Sequence, residues 1–127
     1  MSSKAKLLSL FFDQWEALLD ELVRVFPDDP DFPRLKMYLR IGRTVNPKRV
    51  VLAVQNHMFP FENLVRERNA DFFLKYEFSR YEDKEDISQV IRKVKNLWFE
   101  LTPSNQGAMF DYIILCLDLL HRHLAMP

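Results

Sequence analysis

The stretch Phe110 to Met126, FDYIILCLDLLHRHLAM, is apolar on nearly every side of a helix. A helix on the outside of a globular protein carries a single apolar stripe. One that is greasy all round belongs at the centre of a bundle or in a seam between subunits. No other segment constrains the fold as strongly, because the rest of the chain has to cover it.

The remaining sequence is suited to that task. A chain of 127 residues forms one domain that buries roughly two-thirds of its unfolded surface. Its 48% apolar content, with eleven Phe, supplies the core. Only two Gly residues and 28% charged residues favour helices over tight-turned sheets. Leu7, Leu8, Phe11, Trp15, Leu18, Leu19, Leu22 and Phe26 recur at three- and four-residue steps and predict a first helix over 3–26. The prolines of PDDPDFP end it. A second helix is expected from Asp31 to Val45, and Asn46-Pro47 is the cap and first-turn proline of a third. Phe59-Pro60-Phe61 breaks that one, and a short helix follows over 62–68. The segment 71–78 (DFFLKYEF) reads either as a helical turn or as an extended aromatic clamp, and 81–86 as an acidic connector.

Further on, Ile87, Val90, Ile91, Val94, Leu97, Trp98 and Leu101 share one face of a helix over 86–101, with Arg92, Lys93 and Lys95 opposite. Thr102-Pro103-Ser104 caps the last helix. The predicted fold is all-α: a compact single-domain bundle of five to six helices, 1–127, with the apolar C-terminal helix at its centre.

The sequence carries no catalytic signature. It has no Gly-rich phosphate loop, no GxSxG and no HExxH, so a non-enzymatic protein without a cofactor is expected. His121 and His123 lie about 200° apart round a helix and cannot chelate together. Cys116 reads as a small buried thiol, and a lone cysteine excludes an internal disulfide. Asp118, set in LCLDLLHRH, reads as a buried carboxylate with Arg122 one turn away as its partner. The start of the chain lacks the pattern of a signal peptide, and Ile113 to Leu120 is too short to span a bilayer. A soluble protein of a reducing, intracellular compartment is expected.

Two features bear on partners. Residues 34–49 hold Arg34, Lys36, Arg40, Arg43, Lys48 and Arg49 and no acid. Lys36, Arg40 and Arg43 fall at i, i+4 and i+7 and form a stripe that suits phosphates or an acidic protein surface. The plainer reading is a solvated face balanced by acids at 28–31 and 82–86, and zero formal net charge argues against a nucleic-acid binder. The second feature is the cluster Phe59, Phe61, Phe72, Phe73, Tyr76 and Phe78, which reads as packing or an interface anchor before a base-stacking surface.

Taken in order, VFPDDPDF, NPKRVV, FPFENLVRERNADFFL and VIRKVKNLWFELTPSNQGAMFDYI resemble a family of small helical proteins. Large nucleocytoplasmic DNA viruses of algae and protists encode that family. The resemblance covers Phe11 to about Leu120. It implies a viral setting, as a virion or assembly component in host cytoplasm or virion, and brings no activity and no catalytic residue.

The function expected from the sequence is therefore protein–protein contact, with another protein or with a second copy. Partner contacts are expected at Lys36, Arg40, Arg43, Lys48, Arg49, Phe72 and Phe73, and a self-association seam at Ile113, Ile114, Leu117, Leu120 and Leu124. The alternatives are a nucleic-acid-binding accessory factor using the 34–49 stripe, and a helical groove binder that antagonises a host pathway. A groove lined by large apolar residues in the folded monomer is the mark of the last.

Overall fold

A computed structural model of the chain describes residues 2–76 and 86–127, with residues 86–88 described by backbone alone. Seven α-helices appear among these residues: α1 (Ser3–Val25), α2 (Asp31–Val45), α3 (Pro47–His57), α4 (Glu62–Arg66), α5 (Ala70–Lys75), α6 (Asp86–Leu97) and α7 (Pro103–Ala125). Single 3-10 turns at Phe59–Phe61 and Trp98–Glu100 join α3 to α4 and α6 to α7. The described residues contain no strand. The protein is an all-α single-domain bundle.

Most of the helices start where a polar side chain meets an otherwise orphaned amide. Ser2, Asn46, Asn69 and Thr102 accept from Ala5, Arg49, Phe72 and Asn105 at the starts of α1, α3, α5 and α7. Asp29 Oδ1 accepts from the Asp31 amide at 2.9 Å at the start of α2. The turn after α4 closes at Arg68, which takes the left-handed conformation at φ 56°. The Asn69 amide then donates to Leu64 and the Arg68 amide to Val65, the two bonds of a Schellman ending.

α1 and α7 form the central pair and run antiparallel. Lys4 Nζ donates to the His123 and Met126 carbonyls at 3.3 and 2.8 Å, which sets a cation at the negative end of α7. Further along the pair, Cys116 Sγ lies 3.9 Å from the Phe11 carbonyl. Phe11, Phe12, Trp15, Leu18, Leu19 and Leu22 of α1 and Met109, Cys116, Leu117 and Leu120 of α7 are all buried. α2 packs on the α1 side, α4 on the α7 side, and α6 closes against α2 and α3. The gap between α2 and α3 is narrow at Gly42, where a Cβ would come within 3.1 Å of Val50 Cγ2.

Some expectations change in detail. The uncertain segment is helical as far as Lys75, Phe78 and 81–85 lie outside the described residues, and α6 ends at Leu97 instead of Leu101. α7 also has a solvent side that its composition hides: Leu115 and Leu124 are exposed while Leu117 and Leu120 are fully buried.

The pair α1/α7 should therefore dominate stability. In urea denaturation, Leu117→Ala is expected to cost about 3 kcal/mol, as for other buried Leu→Ala changes. Leu115→Ala, on the exposed side, should cost less than about 0.5 kcal/mol. Gly107→Ala should stabilise α7 by up to about 1 kcal/mol, since nothing lies within 4 Å of the added Cβ.

Candidate interaction face and apolar cavity

The basic stripe of α2 lies against an acidic row on α1. Lys36 Nζ sits 2.5 Å from Asp20, and Arg40 Nε 3.4 Å from Glu16. Arg43 reaches Asp13 at 2.7 Å and Glu16 at 2.6 Å, and also donates to the Ser9 carbonyl and hydroxyl at 3.0 and 2.9 Å. Its guanidinium lies 5.4 Å from the Phe12 ring centroid. Burial lowers the Arg43 pKa, but the bonds it donates to Asp13 and Glu16 outweigh this and hold the group above its ordinary value. The balancing charge is thus on α1, and Lys36, Arg40 and Arg43 form an interhelical ladder in place of an open phosphate track. At the start of α3, Lys48 and Arg49 are both exposed.

With its charges turned toward α1, α2 presents an apolar row to solvent. Met37, Ile41 and Val45, at i, i+4 and i+8, are 52, 52 and 76% exposed, and Tyr38 beside them is 39% exposed. These residues border a shallow groove with Pro33, Lys36, Arg40 and Thr44. Phe32, Leu35 and Leu39 are the residues of α2 that face the core.

The aromatic block is an intramolecular cluster. Phe61 contacts Phe72, Phe73 and Tyr76 at centroid distances of 5.6, 6.4 and 4.9 Å, and Phe72 contacts Phe73 at 5.4 Å. Phe73 packs on the core, and Phe72 is partly buried. Phe61 and Phe73 also form part of the wall of an apolar cavity of about 90 Å³, together with Trp15, Leu18, Met58, Val65, Ala70, Leu74, Val90, Ile91, Val94, Trp98, Met109, Phe110 and Ile113. His57 and Lys95 are the other two wall residues. The periodicity of α6 places Lys95 on the solvent face, and the structure corrects this. Lys95 follows Ile91 by one turn, about 40° round the axis, so its side chain borders the cavity, and its Nζ donates to the Tyr76 carbonyl at 2.5 Å.

The expected seam on α7 divides. Leu117 and Leu120 are part of the chain's own core, which removes them from any surface of the folded monomer. Ile113 and Ile114 are partly buried against that core, and Leu124 remains 40% exposed.

The polar groups of α7 find partners on α4. Asp118 is exposed and pairs with Arg66 at 2.7 Å, so the expected burial and the expected Arg122 partner are both corrected. The i, i+4 spacing points to Arg122, but Arg66 approaches from a neighbouring helix that spacing cannot reveal. Arg66 also reaches Glu62 at 2.7 Å, and Glu62 meets His121 Nε2 at 2.6 Å, with His121 stacked on Phe59 at 4.5 Å. Burial raises the Glu62 pKa, but His121 and Arg66 outweigh it and hold it below the ordinary carboxylate value. Arg68 bonds Asp111 and the Gly107 carbonyl and lies 5.9 Å from the Phe110 ring centroid.

Among the described residues, no group of three His, Cys, Asp or Glu side chains is placed to hold a metal ion. No described helix is long and apolar enough to cross a membrane. Burial pushes the Cys116 thiol well above its ordinary pKa. No family model, curated protein or solved structure matches the chain.

Two measurements follow. Cys116 should not react with a thiol reagent at neutral pH until denaturant opens the α1/α7 pair, because the nucleophile is the thiolate. Glu62, with a lowered folded pKa, contributes stability that is complete above its unfolded value of 4.5 and is lost as pH falls through the folded value. The urea midpoint should therefore fall between about pH 6 and about pH 3.5, and fall less in Glu62→Gln.

Proposed function

We propose that this protein is a non-enzymatic interaction module that docks an amphipathic helix on the outer face of α2. The observation that carries the reading is the exposed row Met37, Ile41 and Val45 with Arg40, its side chain 67% exposed, along one edge. Apolar residues at i, i+4 and i+8 are the spacing with which one helix meets another. The basic edge favours a partner helix whose flank is acidic, since charge across a rim selects partner and orientation. The viral setting, as a virion or assembly component in a reducing compartment, belongs to the same proposal and is supported by the resemblance of the segment order described above.

The nucleic-acid alternative has less support. Lys36 and Arg43 are held by Asp20, Asp13 and Glu16 of α1, which leaves Arg40, its side chain 67% exposed, to meet a phosphate, and a single outward cation is not a phosphate track. The groove-binder alternative needs room for a helix, and a cavity of about 90 Å³ holds one small group.

The test uses two labelled helical peptides with Leu at i, i+4 and i+8, one flanked by Glu and one by Lys, followed by anisotropy at two salt concentrations. The Glu-flanked peptide should bind more tightly, and raised salt should weaken it. Ile41→Glu should abolish binding of both while shifting the unfolding free energy by no more than about 0.5 kcal/mol. Equal binding of the two peptides, or binding that survives Ile41→Glu, would refute the reading. Light scattering over a concentration series identifies the other occupant: a dimer that Ile41→Glu returns to monomer would mean that a second copy covers this face.

A further inference from the structure

The cavity of about 90 Å³ is walled by residues of every α-helix except α2. Trp15, Leu18, Val65, Phe73, Val94 and Ile113 are among the side chains that surround it, and its surface is almost entirely apolar. His57 and Lys95 belong to the wall but present almost no polar surface to the space. The Lys95 ammonium is taken up by partners of its own, the Tyr76 carbonyl among them.

A wall of this kind selects by polarity and by size. Water needs roughly two to four polar partners to occupy a cavity and meets too few here. A hydroxyl, amine or carboxylate carried inside would lose its hydration with no hydrogen bond in return. A hydrocarbon has no such loss and gains dispersion contacts with the surrounding side chains. Size sets the upper limit. A cavity of ~150 Å³ holds one benzene, so about 90 Å³ takes a compact body of about four carbons. A leucine side chain carries an isobutyl group of that size, but its backbone amides would follow it to a wall that offers them no partner.

We propose that this cavity binds one small uncharged hydrocarbon of about four carbons, taken up as a free molecule. The site is separate from the outer face of α2, which contributes nothing to the wall, and neither proposal depends on the other.

NMR titration of the methyl resonances of the full chain with isobutane, isopropanol, benzene and N-acetyl-leucinamide tests it. Isobutane and isopropanol share one branched skeleton and differ by a methyl in place of a hydroxyl. Isobutane should shift the methyls of Leu18, Val65, Val94 and Ile113 saturably and leave those of Met37, Ile41 and Val45 in place. Isopropanol should bind at least roughly tenfold more weakly, the usual effect of an unpaired hydroxyl. Benzene should not saturate the wall methyls. Ala70→Leu, which puts an isobutyl group where the wall has a methyl, should remove isobutane binding.

The proposal is overturned if isobutane does not saturate the wall methyls, if isopropanol matches it, or if Ala70→Leu still binds it. Benzene that binds as tightly as isobutane would overturn the size limit and with it the ligand class. N-acetyl-leucinamide that shifts the same methyls at lower concentration than isobutane would assign the site to a partner's leucine and overturn the free-ligand assignment. Should Ala70→Leu fail to fold, competition on the unmodified chain takes its place. Xenon, which enters dry apolar cavities, must shift the same wall methyls and be displaced by isobutane, and independent effects of the two would rule the cavity out.

Discussion

The antiparallel packing of α1 on α7 is the interaction on which the rest of the bundle is built. Six buried side chains of α1, from Phe11 to Leu22, meet Met109, Cys116, Leu117 and Leu120. Each large apolar side chain removed from water in this way contributes roughly 1.5–3 kcal/mol. Two long helices alone would cover only the strip where they touch. The flanks of that strip dictate where the shorter helices go: α2 beside α1, α4 beside α7, and α6 over the gap against α2 and α3. Polar bonds then fix the register. Lys4 ties the start of α1 to the last carbonyls of α7, and Arg66 and Arg68 tie α4 and its closing turn to Asp118 and Asp111.

α2 is amphipathic in an unusual sense. Its charged row Lys36, Arg40 and Arg43 faces a neighbouring helix, while Met37, Ile41 and Val45 face water. The ladder to α1 has a structural role that accounts for the charges. Exposed ion pairs contribute only about 0–1 kcal/mol each, but Arg43 makes four directional contacts and so selects one register of α2 on α1. Among the described residues, none covers the outward row. Three consecutive helical turns of exposed aliphatic surface lower solubility and add nothing to this core. The docked helix proposed above would account for the row, with Arg40 beside it favouring an acidic flank on that helix.

The helices were legible in the sequence wherever local chemistry decides. Asn46-Pro47, Thr102-Pro103 and the prolines after Phe26 mark their boundaries because caps and proline act on their own neighbours in the chain. The 3–26 periodicity identified the inner face of α1 for the same reason. What the sequence hid depended on neighbours distant along the chain. Asp118 looked buried from its apolar flanks, yet it faces outward to Arg66 because α7 is covered on one side only. The basic stripe looked open because Asp13, Glu16 and Asp20 lie more than a dozen residues away in sequence and come adjacent only when α1 and α2 pack. The cavity gave no local signal at all. It is a remainder left among α1, α3, α4, α5, α6 and α7, visible only once they are all in place.

That remainder persists for a steric reason. Rings that meet edge-on, such as Trp98 with Phe110 at 80° and Phe61 with Phe73 at 79°, cannot slide together to close a gap without losing those contacts. The elements that carry them are anchored elsewhere: α6 through Lys93 to Asp29 and Asp31, α1 through its long contact with α7. At about 24 cal/mol per Å³, an unfilled volume of about 90 Å³ costs about 2 kcal/mol. Against a total stability of about 5–15 kcal/mol for a domain, that is a large fraction. The bundle tolerates that cost because the edge-on rings and the anchored helices leave the apolar wall no cheaper arrangement.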